Sequence, residues 1–206
     1  MAKKSQAKFT NGISELIKFV FFVLVIPLIA AVTISFQKEL SELKTVYHHS
    51  FEWGIVTYSI LYFFLCDLVW LYKFGQSVSG EILRIWEPLA KVMPYIFPIY
   101  TVLTVGAYYI VVRVLGMGPN QGWWFFVMGF TFAMHLIMTA RELYEEDTSL
   151  FKPNYLFEMT LVYVLDVFLM VQLLNATAWK FSLVAFAQTV IDLTRDFYTI
   201  IYLRIF

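Results

Sequence analysis

The sequence reads as an all-α, polytopic integral membrane protein of six transmembrane helices, and three observations lead there. Its 206 residues are 60% hydrophobic and 15% charged, where a soluble domain is about 45–50% apolar and about 25% charged. Apolar runs near the ~20 residues that a crossing helix needs recur six times, separated by polar links. Aromatic residues make up 19% of the chain and crowd the ends of those runs, as interfacial belts do. Residues 1–206 form a single helical bundle in this reading, with no soluble domain and no convincing internal repeat.

The first span covers about 17–36, with Lys18 at its mouth, after a polar start carrying Lys3, Lys4 and Lys8. A signal peptide also opens with basic residues, but this apolar run is long and no small-x-small cleavage pattern follows it. A retained helix is expected, kinked at Pro27. A polar loop over 37–52 returns to the interface at Tyr47, Phe51 and Trp53. Span two, 53–72, contains Asp67. In the next connection Val78, Ile82, Ile85, Trp86 and Leu89 recur at helical spacing opposite Glu81, Arg84 and Glu87, the pattern of a short interfacial amphipathic helix over about 78–90.

Span three, 93–112, has Pro94 and Pro98 in its first turns and Arg113 at its end. A glycine-rich turn over 116–122 leads to Trp123 and Trp124, which open span four, 123–140, with His135 inside it. Residues 141–147 continue that helix into water. Pro153 is placed to open span five, 155–174, which holds Glu158 and Asp166. A link over 175–178 precedes span six, 179–203.

Positive charge orients the bundle. With the N-terminus inside, the inner side receives Lys3, Lys4, Lys8, Lys18, Lys73, Arg84, Lys91, Arg141, Lys152, Arg195 and Arg204, and the outer side only Lys38, Lys44, Arg113 and Lys180. That asymmetry predicts N-in and C-in. The expected location is a bacterial inner (cytoplasmic) membrane with both termini cytoplasmic.

Orientation converts positions into depths. At a rise of ~1.5 Å per residue, Asp67 and His135 lie roughly 7–8 Å from the inner surface, Glu158 roughly 5 Å and Asp166 roughly 16 Å. On span six Gln188, Asp192, Arg195 and Thr199 recur at intervals of four, three and four beside Asp196, so all share one face. A carboxylate in hydrocarbon costs several kcal/mol unless paired, protonated or wetted, so these side chains are expected to share a polar layer. Arg195 is the natural partner for Glu158, Asp192 or Asp196. Asp166 has no partner assignable at its own depth.

Three readings of that layer compete: interhelical glue, a path for protons or cations, and a metal site. The ion or proton path candidates are Asp166, Asp67, Glu158, Asp192, Asp196, Arg195 and His135. Glu142, Glu145 and Glu146 read as an acidic helix end that meets a partner protein. His48 and Glu52 stand at i,i+4, but two ligands are too few for a metal centre. Asn175-Ala176-Thr177 matches a glycosylation sequon in a turn too short to accept sugar. The single cysteine, Cys66, forms no intrachain disulfide, and the net charge of +0 gives no nucleic-acid footprint.

Catalytic and phosphate-binding motifs are missing, so no catalytic residue, cofactor or metal is expected. Gly129/Ala133 and Ala185/Thr189 are small-residue pairs that permit close helix contact. Small size and short loops point to a non-catalytic subunit of a larger membrane complex. The expected partners are the lipid bilayer and other membrane subunits or further copies of the chain. The alternative is a small oligomeric cation or proton channel, or a proton-coupled transporter.

Overall fold

A computed structural model gives the architecture and describes residues 2–64, 69–83, 93–116, 121–146, 152–178 and 182–205; among these every regular element is a helix. In chain order they are α1 (Ala2–Ser41), α2 (Thr45–Phe64), α3 (Val69–Leu83), the single turn α4 (Met93–Ile96), α5 (Ile99–Tyr108) with a π-helical continuation (Tyr109–Val114), α6 (Gln121–Glu146), α7 (Pro153–Ala178) and α8 (Leu183–Ile205). Segments Gly12–Ser41, Gln121–Glu146 and Pro153–Thr177 are long and apolar enough to cross a membrane. Among the described residues the protein is therefore all-helical, with three such helices.

The helices outlast the apolar runs that announced them. The loop expected over 37–52 is mostly helix, because α1 continues to Ser41 and α2 begins at Thr45. Likewise the expected link 175–178 is the last turn of α7, where the Thr177 hydroxyl donates to the Leu174 carbonyl at 2.8 Å. Hydropathy marks where side chains leave hydrocarbon, whereas backbone hydrogen bonding carries a helix further into polar surroundings. The continuation of α6 to Glu146 and the start of α7 at Pro153 follow the sequence reading. Pro27 does not end α1, which runs through it. Of the interfacial helix expected at 78–90, α3 covers the part to Leu83; Arg84, Glu87 and Asp67 lie outside the described residues.

At the centre stands α6, packed along α2 and touching α3, α5 and α7. Its contact with α2 depends on two glycines. A Cβ at Gly54 would stand 2.1 Å from the Phe126 carbonyl oxygen, and one at Gly129 would stand 2.1 Å from that of Phe51. Only hydrogen at those positions lets the backbones meet. Around this seam Phe51, Phe125, Met128, Phe132, Met170 and Leu174 are buried, and Tyr47 stacks on Phe125 at 4.8 Å. Between helices in lipid, this fit of shape replaces the hydrophobic drive available in water.

On the other side α1 packs against α7 and α8. Thr33 and Tyr163 hydroxyls meet at 2.7 Å between α1 and α7, and the Tyr198 hydroxyl of α8 donates to the Leu24 carbonyl of α1. Most helix hydroxyls bond their own backbone one turn back: Thr33 to Ile29, Ser59 to Ile55, Thr131 to Val127 and Thr160 to Leu156. That satisfies a polar atom without asking anything of lipid.

Candidate functional site

A hairpin builds the site. α6 ends at Glu146 and α7 starts at Pro153, so His135 lies 11 residues before the turn and Asp166 13 residues after it. In an antiparallel pair those positions are nearly level, and His135 Nε2 stands 3.4 Å from Asp166 Oδ2. The expectation that Asp166 lacks a partner at its depth is thereby corrected. The depth argument counted from unequal apolar boundaries, 140 and 155, instead of from the ends of the helices. Asp166 is 0% exposed and His135 6%.

The imidazole has a second neighbour, supplied by a helix break. Pro98 lacks an N–H, and the Ile99 N–H turns to the Phe97 carbonyl at 2.8 Å instead of reaching the Tyr95 carbonyl as an unbroken helix would require. The span expected as one helix over 93–112 is thus divided into α4 and α5. The freed Tyr95 carbonyl oxygen lies 3.1 Å from His135 Nε2. A carbonyl only accepts, so that nitrogen carries hydrogen and donates to Tyr95. Asp166 flanks the same N–H within Coulomb range but out of hydrogen-bond alignment, and neither of its oxygens has a hydrogen-bond partner among the described residues.

Below this pair two polar stripes face each other. His135, Thr139 and Glu142 recur at i, i+4 and i+7 on α6, and Tyr72, Gln76 and Ser79 do so on α3. The stripes bond across the gap. Tyr72 and Thr139 hydroxyls lie 2.9 Å apart, and Gln76 Nε2 donates to Tyr72 at 2.9 Å and to Glu142 Oε2 at 2.6 Å. A cavity of about 10 Å³ lies between Tyr72, Gln76, Pro98, Tyr100 and His135, room for about one water. Tyr72, Gln76, Thr139 and Tyr95 were not singled out from sequence, although the matched i, i+4, i+7 spacing was legible there.

The remaining candidates lie elsewhere. Glu158 is exposed on the second turn of α7 and acts electrostatically on Tyr95. Its expected pairing with Arg195 does not suit the helix offsets. Glu158 lies 20 residues before the end of α7 and Arg195 12 residues after the start of α8, a mismatch of roughly 12 Å. Asp192, Arg195 and Asp196 are exposed on α8. Glu145 accepts from Arg141 Nε at 3.0 Å and Glu146 from the Tyr95 hydroxyl at 3.3 Å. His48 and His49 contact opposite oxygens of Glu52 at 3.0 and 3.3 Å on the first turns of α2.

Asp166 and His135 are thus a buried acid–imidazole pair. The pair stays neutral either as imidazolium beside carboxylate or as imidazole beside carboxylic acid, whereas one charged member alone would be costly to bury. Two ligand groups do not make a metal centre. Comparison with family models, with curated proteins and with solved structures finds no match to this chain.

Proposed function

We propose that this chain is a non-catalytic integral membrane subunit of a larger assembly, a six-span bundle with both termini on the inner side. The observation that carries this reading is the outward face of α8, where Asp192, Arg195 and Asp196 are exposed and have no side-chain partner among the described residues. Tyr198 holds α8 against Leu24 of α1, so at ~1.5 Å per residue Asp192 to Asp196 lie beside roughly residues 26–30 of α1, inside its apolar run. Hydrocarbon does not solvate such groups, and protein or a water-filled gap enclosed by protein does. Purification in gentle detergent with mass analysis tests the reading. A stoichiometric assembly is expected, and a stable lone monomer would overturn it.

A second reading, proton movement through Asp166, is favoured by the bonded stripes that join Glu142, Gln76, Tyr72 and Thr139 to the one-water cavity beside His135. In proteoliposomes Asp166→Asn should then abolish proton flux while the fold survives. Flux unchanged in that variant removes Asp166 from the path.

A further inference from the structure

We infer that the polar face of α8 is a seam between copies of this same chain. This rests on the assembly reading and names its partner. Gln188, Asp192, Arg195 and Thr199 follow one another at intervals of four, three and four and are all exposed, the spacing of an a/d seam between helices that wind around each other. Ala185 continues it by one turn and leaves room for close approach. The Thr199 hydroxyl already bonds the Arg195 carbonyl at 2.9 Å. The side chains of Gln188, Asp192, Arg195 and Asp196 have no partner among the described residues.

The sign pattern selects a second copy. All copies of a membrane protein enter the bilayer in one orientation, so an axis normal to the membrane brings equal depths together. An apolar partner would leave three charges buried and unpaired. The stripe instead carries both signs within little more than one turn, two carboxylates around one guanidinium. Arg195 of one copy then meets Asp192 or Asp196 of the next after a rise of ~1.5–5 Å, well within the reach of an arginine fork that accommodates carboxylates. Like charges never have to stand opposite without an opposite charge one turn or less away. The seam is self-complementary in charge, as a contact between identical surfaces requires.

Cysteine crosslinking in native membranes tests this, on a Cys66→Ser background. Gln188→Cys and Thr199→Cys should form disulfide dimers several-fold more readily than Ile200→Cys and Ile201→Cys, which are exposed but turned off the seam. Equal crosslinking at all four positions, or none, overturns the seam. Adding Arg195→Asp to Thr199→Cys should lower the dimer yield about tenfold or more, because like charges then face each other throughout. Adding Asp192→Arg as well restores both signs and should recover dimer. Failure of the single charge change to act, with the protein still folded, also overturns the proposal. Disulfides to a different protein at positions 188 and 199 would refute self-association yet leave the assembly reading standing. A non-crosslinking monomer in gentle detergent would remove both.

Discussion

Replacing Gly129 by Ala should loosen the centre of the bundle. The new Cβ would stand 2.1 Å from the Phe51 carbonyl oxygen and 2.9 Å from its carbon, against an ordinary carbon–oxygen separation of about 3.3 Å. The obstacle is backbone, so no rotamer change relieves it, and α2 must retreat from α6 by about 1 Å at that point. A gap of that size forfeits up to about half of each contact's dispersion, and the contacts at risk include Phe51 with Phe132 and Tyr58 with Phe130. Overpacking costs about 1–3 kcal/mol where a core can adjust, so a rigid obstacle puts Gly129→Ala near about 3 kcal/mol, roughly a hundredfold in the folding equilibrium. Gly54→Ala meets the Phe126 carbonyl at the same 2.1 Å and should cost as much. The double variant should cost less than the sum, because helices already parted by one methyl admit the second. Gly106→Ala is the control: nothing lies within 4 Å of its Cβ, and a helix interior gains ~0.5–1 kcal/mol from that change. Reversible unfolding of the purified protein in mixed micelles measures all four. A Gly129→Ala protein as stable as the parent, or less damaged than Gly106→Ala, would refute the close-packed α2–α6 seam.

Four further outcomes follow from the polar site and the proposed topology. His135→Phe and Asp166→Leu should each destabilise by about 2–4 kcal/mol because each strands its partner, and the double variant should recover most of that loss in a double-mutant cycle; strictly additive losses would show that the pair is not coupled. Tyr72→Phe removes the hydroxyl shared by Thr139 and Gln76 and should cost about 1–2 kcal/mol, read by the same unfolding assay. Pro98→Ala lets the Ile99 N–H return to the Tyr95 carbonyl, so His135 loses its acceptor; the imidazole nitrogen resonances in solid-state NMR should shift, and an unchanged spectrum would count against the helix break as the source of that carbonyl. For the orientation, Ser41→Cys on a Cys66→Ser background should label from outside intact cells with a membrane-impermeant thiol reagent, and labelling only after lysis would reverse the topology.

Composition and periodicity by themselves determined that this is a helical, membrane-type chain. Twenty-residue apolar runs have few ways to satisfy their backbone except as helices, and that requirement is local. The same local logic placed Pro153 at the start of α7 and carried α6 past its apolar run to Glu146. It also identified Asp166 as a residue that requires an explanation, because burying a carboxylate is costly in any fold.

Tertiary structure alone decided what answers that cost. His135 and Asp166 are 31 positions apart in the chain and meet only because α6 and α7 form a hairpin whose true ends, and not its apolar boundaries, set the level of each residue. The Tyr95 carbonyl became available through a proline whose effect on the ladder depends on where Ile99 then turns. Gly129 was legible as a small residue that permits close contact, but its counterpart Gly54 and the helix it meets were decided only when α2 and α6 were placed backbone to backbone. Local propensity fixes a helix; its neighbours, and the depth at which each side chain meets them, are settled by packing between helices that are distant in sequence.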